Sequence, residues 1–410
     1  MSPLHKRAVV VVFLAFAVAY FLSALLRGIT ATLSPALTSE FALHARDLGL
    51  LSGGYFLGFS ATQLPLGTWL DRHGPRKVLI SFLAISVLGC LAFSMAQTFV
   101  GLLAARILCG VGVSACLMAP LTGYRRWFSP ATQMRANSWM LMTGSLGLVA
   151  STLPVQWLVP LVGWRVLFVG LAAALVLATG IIAWHVPHWG RSTGDTGSVQ
   201  APAGYAEVWR HPYFRAVAPL GFFCYGGLLA VQTLWAAPWM IQMGGYSPLQ
   251  AATGLFWINV AMLGTFWVWG MVSPWLAQRG LRADRLMARG LPVSFLLLGL
   301  ILVVPGHFPG ATGILLMLYC MACSFVTLSQ PAVGMAFAPE AAGRALSAYN
   351  LVIFLGVFVI QWGIGLMIDG LVALGAPQSR AFPLAFGTLL TGCVGSYVYF
   401  LRATRHNRPT

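Results

Sequence analysis

Residues 65–78 read PLGTWLDRHGPRKV, and they concentrate charge within a chain that has very little of it. Only 8% of the 410 residues are charged, yet the segment DRHGPRK at 71–77 holds four charges and a histidine. The flanking segments, LLSGGYFLGFSATQ at 50–63 and LISFLAISVLGCLAF at 79–93, are almost wholly apolar. A short charged turn between two long apolar segments is typical of a loop that joins two membrane-spanning helices.

The composition of the whole chain supports a membrane location. Hydrophobic residues make up 59% of the sequence, whereas a soluble domain has about a quarter of its residues charged. Long apolar runs exclude a membrane β-barrel, because barrel strands alternate apolar and polar residues over about ten positions. We therefore expect an all-α polytopic membrane protein that is surrounded by the lipid bilayer.

Twelve apolar segments are long enough to cross the bilayer, which needs about 20 residues of helix. A polar segment at 187–212, rich in Gly, Ser, Pro and Thr, divides them six and six. The sequence therefore predicts an N-terminal six-helix bundle at 1–186, a linker at 187–214 and a C-terminal six-helix bundle at 215–410. The predicted spans lie at 8–31, 46–69, 78–96, 98–121, 136–160, 165–186, 215–241, 250–276, 286–305, 311–337, 345–368 and 381–402.

The net charge of +16 would suggest nucleic-acid binding in a soluble protein, but here its distribution indicates topology. An even number of spans places both termini on one side, and that side carries 19 of the 24 Lys and Arg residues. The other side carries only Arg46, Arg165 and Arg380. Because positively charged loops stay in the cytoplasm, we expect cytoplasmic termini, an inner-membrane location and no nucleic-acid partner.

The opening stretch recurs later in the chain. WLDRHGPRK at 69–77 returns as WLAQRGLRA at 275–283, with Trp, Leu, a basic residue, Gly and Arg in register. Gly74 aligns with Gly280, so the repeat is offset by almost half the chain length. Two related halves are typical of alternating-access transporters, in which the substrate site lies between the halves. The sequence therefore predicts two pseudo-symmetric bundles.

The pattern G-x-x-x-D-R-x-G-x-R-K at 67–77 resembles the signature loop of the major facilitator superfamily. AARILCGVGVSA at 104–115 resembles the fourth-helix motif of that superfamily, and GWR at 163–165 is also usual there. The resemblance implies a secondary transporter with a central cavity. The segments 232–240 and 343–365 are similar to bacterial permeases whose substrates are poorly defined.

The resemblance also implies a conformational role for the loop. A carboxylate is stabilised by the positive end of a helix and by arginine, so Asp71 can hold the cytoplasmic ends of the halves together. We expect Asp71 near Gly343 and Arg344 when that side is closed. Arg106, inside the fourth span, has an alternative role as a packing arginine bonded to backbone carbonyls. The residues assigned to this latch are Gly67, Asp71, Arg72, Gly74, Arg76, Arg106 and Arg344.

Arg27 is the leading candidate for a substrate contact. Tyr20, Ser23 and Arg27 recur at helical spacing. The same polar face continues to Thr30 and Ser34 on an otherwise apolar helix. A charge inside a span is costly and usually functional, so we interpret Arg27 as a contact for an anionic substrate group. The alternative is an arginine that extends to the outer membrane boundary.

The second half offers amides and a tryptophan as further candidates. Gln232 and Trp235 share a helical face in span 7, and Asn350 and Gln361 share one in span 11. Amides in lipid are costly unless they are hydrogen-bonded, so bonding between helices is the alternative for each. The predicted substrate contacts are Arg27, Tyr20, Ser23, Gln232, Trp235, Asn259, Asn350 and Gln361.

None of the eight acidic residues lies in the middle of a predicted span. Proton-driven carriers generally use a buried titratable group, so coupling through a buried carboxylate is disfavoured. We expect a monomeric secondary active or facilitative transporter for a small organic metabolite, anionic and suited to an aromatic lining. Import is favoured, because span 5 lacks the paired Gly-Pro motif by which superfamily drug exporters resemble one another.

Two alternatives remain open from the sequence. A multidrug or metabolite efflux carrier would also use an aromatic cavity. A copper(I) importer would use soft sulfur ligands, and Met240, Met243, Cys320 and Cys323 are spaced for this, although packing is the simpler interpretation. A nucleotide-binding loop is absent from the sequence, so we expect neither ATP-driven transport nor an enzyme, and no cofactor or metal.

Overall fold

The computed structural model describes residues 5–189, 205–279, 281–303 and 310–406, and the regular secondary structure in these ranges is helical. The α-helices are α1 Lys6–Phe41, α2 Ala45–Ala61, α3 Gln63–Met95, α4 Phe99–Val113, α5 Ala115–Trp127, α6 Pro130–Ala150, α7 Leu153–His185, α8 Tyr205–Arg210, α9 Pro212–Leu220, α10 Gly226–Ala230, α11 Ala236–Gln242, α12 Pro248–Gln278, α13 Ala283–Val303, α14 Ala311–Cys323, α15 Ser329–Met335, α16 Pro339–Ala373 and α17 Gln378–His406.

Among the described residues, ten helices are long and apolar enough to cross a membrane. The expected all-α polytopic architecture is thereby confirmed. The observed helix boundaries differ from the predicted spans because two segments that were predicted as loops are helical, one within α3 and one within α7. Each of these helices is kinked at a glycine with positive φ, Gly74 at 79° and Gly163 at 75°. Only glycine adopts this backbone conformation without strain, so each glycine turns the chain between two predicted spans.

The two halves meet along α2 and α16, and their contact depends on glycine. A Cβ atom on Gly49 would lie 2.3 Å from the carbonyl oxygen of Gln361. A Cβ atom on Gly365 would lie 2.3 Å from the carbonyl oxygen of Ala45. Because no side chain fits at such distances, the two helix backbones touch directly. This contact lies toward the end of the molecule remote from the chain termini, here called the distal end.

Asp369, near the end of α16, also joins the halves at the distal end. Its carboxylate accepts hydrogen bonds from the backbone N–H groups of Ala45 (3.1 Å) and Arg46 (2.9 Å). These residues begin α2, where unpaired N–H groups and the helix dipole favour an anion. The Arg46 side chain adds a charge interaction, with Nε 4.0 Å from the carboxylate. The distal end is therefore closed.

The seventh predicted span is not a uniform α-helix. Turns of π-helix at Gly221–Tyr225 and Val231–Trp235 separate α9, α10 and α11. Such turns are frequent at functional sites, because they change the direction of the side chains that follow. The two turns carry Tyr225, Gln232 and Trp235, each of which is hydrogen-bonded to a different helix.

The predicted linker at 187–214 falls largely on residues 190–204, which lie outside the described residues. Its described part includes α8, which touches both halves. The Tyr205 hydroxyl donates to the Leu64 carbonyl at 2.8 Å, and α8 also packs against α16. Burial raises the pKa of the Tyr205 phenol, and nearby Arg344 partly opposes this. The phenol therefore stays protonated and can donate this bond.

Candidate functional site

Arg27 lies near the middle of α1 and between the two halves. Its guanidinium carbon is 5.7 Å from the ring centre of Phe59 on α2 and 5.9 Å from that of Phe354 on α16. The two ring centres are 4.4 Å apart, so one aromatic side chain from each half covers the cation. Contact with a ring face stabilises a guanidinium that is removed from water. Arg27 therefore packs inside the helix bundle, against aromatic side chains of α2 and α16, and its contact with substrate stays a prediction.

Two phenols approach the same guanidinium from the N-terminal half. Tyr20 and Tyr55 both interact electrostatically with Arg27. The Tyr55 hydroxyl donates to the Ser23 carbonyl at 3.1 Å. The Ser23 hydroxyl and the Arg27 Nε group are buried without a described hydrogen-bond partner. These two groups are therefore unsatisfied in this conformation, and the structure brings together the three candidates that the sequence places on α1.

The site carries positive charge without a compensating carboxylate. Among the described residues, every ion pair lies at the distal end, and none includes Arg27. The surrounding phenols are neutral, so they moderate the charge without cancelling it. Charges interact strongly where the effective dielectric constant is low. This arrangement suits an anionic group that enters between the halves.

Arg106 is a second buried arginine, on α4. Its Nη1 group donates to the Leu26 carbonyl at 3.0 Å, and its guanidinium carbon is 5.1 Å from the ring centre of Tyr55. The Nε and Nη2 groups have no described partner. The Leu26 carbonyl thus satisfies only one part of the guanidinium. A packing arginine would have its N–H groups bonded to backbone carbonyls, so the structure agrees with that alternative only in part. The assignment of Arg106 to the latch stays a prediction.

An amide pair on α15 and α16 is linked to the surroundings of Arg27 through Tyr225. Gln330 Nε2 donates to Asn350 Oδ1 at 2.6 Å, and the Tyr225 hydroxyl donates to Gln330 Oε1 at 3.4 Å. Tyr225 interacts electrostatically with both Tyr20 and Arg27. The structure therefore connects Asn350, one of the predicted contacts, to the surroundings of Arg27.

The other predicted contacts of the second half are bonded among themselves. Gln232 Nε2 donates to Asn259 Oδ1 at 2.8 Å. Trp235 Nε1 donates to the Gln361 carbonyl at 3.1 Å, and Gln361 Nε2 donates to Thr233 Oγ1 at 3.0 Å. These hydrogen bonds join different helical segments, which is the alternative role that the sequence allows for these amides. A contact of these four residues with substrate stays a prediction, and the Gln361 Oε1 atom retains no described partner.

The latch residues at 67–76 lie around the kink of α3, at the end that carries the chain termini. A Cβ atom on Gly74 would lie 2.2 Å from Trp189 Cβ, so only glycine allows this contact. Arg76 donates to the Ala183 carbonyl and contacts His188, which ties the loop to the end of α7. Arg72 is exposed, and a Cβ atom on Gly67 would meet no atom within 4 Å.

Asp71 is exposed, and its carboxylate interacts electrostatically with Arg125. In the described part of the chain no ion pair joins Asp71 to Arg344. The predicted contact belongs to a conformation whose terminal end is closed, whereas here the distal end is closed. The latch therefore stays a prediction.

We expect Asp71→Asn to lower the transport rate about three- to tenfold, because it removes a charge interaction worth about 1 kcal/mol from one conformation. The amount of folded protein should be unchanged. His73→Asn, an exposed change in the same loop, serves as the control. Initial rates in reconstituted vesicles measure the effect, and a wild-type rate for Asp71→Asn would remove the latch hypothesis.

The cysteines of the copper hypothesis take part in packing. Cys320 and Cys323 are buried free thiols, and Cys323 Sγ lies 3.4 Å from the Cys224 carbonyl oxygen. Within the described ranges no group of three or more His, Cys, Asp or Glu side chains is arranged to hold a metal ion.

Sequence reasoning missed four residues of the site: Tyr55, Phe59, Gln330 and Phe354. A helical-spacing signal existed for two of them, because Phe59 follows Tyr55 by four residues and Phe354 follows Asn350 by four. Aromatic side chains are common in apolar helices, so this spacing alone does not separate a site from a core. Gln330 gave no signal beyond its polarity.

A protein-family model and two sequence relatives agree on the class of protein that this chain resembles. A family model described as Major Facilitator Superfamily matches residues 16–360. The probable sulfoacetate transporter SauU of Cupriavidus necator is 25% identical over 251 residues, which is 57% of each chain. The 3-(3-hydroxy-phenyl)propionate transporter of Escherichia coli is 27% identical over 388 residues, covering 90% of this chain and 92% of the relative. The match to the first of these relatives thus spans little more than half of its length.

The fold also matches a solved structure. A bacterial homolog of the human lysosomal transporter Spinster, in an inward-facing and unoccupied conformation, superposes with a TM-score of 0.79. The alignment covers 98% of both chains at 17% sequence identity. At this identity the likeness concerns the fold alone.

Proposed function

Because the chain belongs to the Major Facilitator Superfamily, we propose that it carries a small organic acid across the inner membrane by alternating access. As a member of this family it is a multi-pass membrane transporter and not an enzyme. The observation that supports an anionic substrate is the Arg27 guanidinium, which lies between the halves without a carboxylate partner among the described residues.

The chemistry of the site favours an acid with an apolar or aromatic body. A guanidinium binds a carboxylate or sulfonate through two parallel hydrogen bonds, which gives orientation as well as attraction. Phe59 and Phe354, next to Arg27, offer ring surfaces to the remainder of the molecule. The relatives named for sulfoacetate and for 3-(3-hydroxy-phenyl)propionate carry organic acids of two sizes, which is compatible with this class.

Counterflow in proteoliposomes tests the proposal. Vesicles that contain the purified protein are loaded with one unlabelled acid, and the uptake of the same labelled acid is followed at low external concentration. We expect saturable uptake for at least one of sulfoacetate and 3-(3-hydroxyphenyl)propionate, and none in protein-free vesicles. Uptake of neither acid, together with transport of a cationic dye, would overturn the proposal in favour of an efflux carrier.

We further propose that the termini are cytoplasmic and that the substrate moves inward, as the distribution of basic residues favours. Single cysteines at two exposed positions test the orientation: Ser379→Cys in the first turn of α17, and Ala206→Cys on α8. The native cysteines are all buried, so they contribute little background. In intact cells an impermeant maleimide should label Ser379→Cys only. Labelling of Ala206→Cys alone would reverse the orientation.

A further inference from the structure

We propose that the Gln330–Asn350 amide pair recognises a hydroxyl group at the end of the substrate opposite its acid group, and that it thereby selects hydroxylated acids. This inference rests on the proposed function, since it assumes that Arg27 binds the acid group. The juxtaposition that carries it is an amide pair from the C-terminal half that is bonded to Tyr225, a residue that interacts electrostatically with Arg27. In the described part of the chain Arg27 has no carboxylate partner.

The position of the pair follows from α16. Asn350 and Phe354 are four residues apart, so they lie on one face, about 6 Å apart along the helix axis. Phe354 covers the Arg27 guanidinium, with 5.9 Å between the ring centre and the guanidinium carbon. Gly365 and Asp369, further along α16, contact α2 directly at the distal end. Asn350 therefore lies one turn of α16 from the ring that covers Arg27, on the side away from the closed distal end.

The pair has unused hydrogen-bonding capacity. An amide side chain carries two N–H donors and an oxygen that accepts two bonds. The described bonds of the pair are Gln330 Nε2 to Asn350 Oδ1 and the Tyr225 hydroxyl to Gln330 Oε1. Neither of them uses the Nδ2 group of Asn350. A hydroxyl group both donates and accepts, so it can bond to an amide N–H and an amide oxygen at once.

The aromatic neighbours of Arg27 suit a substrate that carries a ring between its two polar groups. The acid group would lie at Arg27, the ring against Phe59 and Phe354, and the ring hydroxyl at Asn350. An acid without the hydroxyl would leave the amide groups unpaired when the halves close around it. A buried polar group that loses its partner carries a desolvation cost, and this cost makes the pair selective.

Two acids that differ only in the ring hydroxyl provide the test: 3-(3-hydroxyphenyl)propionate and 3-phenylpropionate. Binding of each acid to the purified full-length protein is measured by isothermal titration calorimetry. We expect the wild-type protein to bind the hydroxylated acid about fivefold more tightly, as one hydrogen bond between neutral groups provides. Asn350→Leu, which is close in volume, should bind the two acids equally.

A second variant and a control separate recognition from folding. Gln330→Met should abolish the preference as Asn350→Leu does. Gln250→Met removes an exposed amide at the start of α12, whose Oε1 atom accepts from the backbone N–H of Ser247, and it should keep the fivefold ratio. Retention of the preference in both Asn350→Leu and Gln330→Met would overturn the inference, as would equal wild-type affinities. Binding of neither acid to the wild-type protein would overturn it together with the aromatic substrate class, whereas uptake of sulfoacetate would still support the proposed function.

Discussion

Arg27→Ala is expected to abolish uptake of the organic acid while the protein reaches the membrane in normal amount. Truncation removes the cation that contacts the rings of Phe59 and Phe354, and with it the bidentate partner of the acid group. Loss of one partner from a desolvated charge pair costs about 2 kcal/mol or more, which corresponds to at least about a thirtyfold loss of affinity. Counterflow and calorimetry on the same preparation measure the two effects.

Arg27→Lys distinguishes charge from geometry. A lysine keeps the positive charge but loses the planar fork of donors, so affinity should fall by less than in Arg27→Ala and some uptake should survive. Normal uptake by Arg27→Ala would show that the residue does not bind substrate. Loss of folded protein in both variants would make Arg27 structural and would remove the main support for an anionic substrate.

The fold was largely predictable because its determinants are local. Span length, hydrophobicity and the repeated loop depend on residues that are close in sequence, and the positive φ of Gly74 falls in the predicted turn. The helices that continue through loops, such as α3 and α7, could not be anticipated from composition. In a single sequence, a glycine at which a continuous helix is kinked looks the same as a glycine at which one helix ends and the next begins.

The site was less predictable because it is assembled from both halves. Spacing along α1 identified Tyr20, Ser23 and Arg27, since these lie on one helix. The rings that cover Arg27 come from α2 and α16, and no property of Phe59 or Phe354 alone separates them from ordinary core phenylalanines. Likewise Asp369, whose carboxylate binds the N-terminus of α2, is separated from Ala45 by 324 residues in the sequence and from Arg46 by 323. Contacts of this kind follow from the packing of the halves.

Gly365→Leu is expected to reduce transport at least about tenfold, because it prevents the distal end from closing. A Cβ atom at this position would lie 2.3 Å from the Ala45 carbonyl oxygen, and both groups belong to helix backbones that cannot move aside separately. Overpacking of this kind costs about 1–3 kcal/mol, and 1.4 kcal/mol changes an equilibrium about tenfold. A protein that alternates between two conformations would thus be held in the distally open one.

Gly363→Leu is the matched control on the same helix. A Cβ atom on Gly363 would meet no atom within 4 Å, so this variant has the same change in helix propensity without the clash. Spin labels on His44→Cys and Gly370→Cys, at exposed positions at the distal ends of α2 and α16, report the separation of the halves. Their distance should increase in Gly365→Leu and stay unchanged in Gly363→Leu.

If Gly365→Leu keeps the wild-type distance and rate, direct backbone contact between α2 and α16 is not required for transport. If both variants lose transport at the wild-type distance, the glycines serve the flexibility of α16 and not the closure of the distal end.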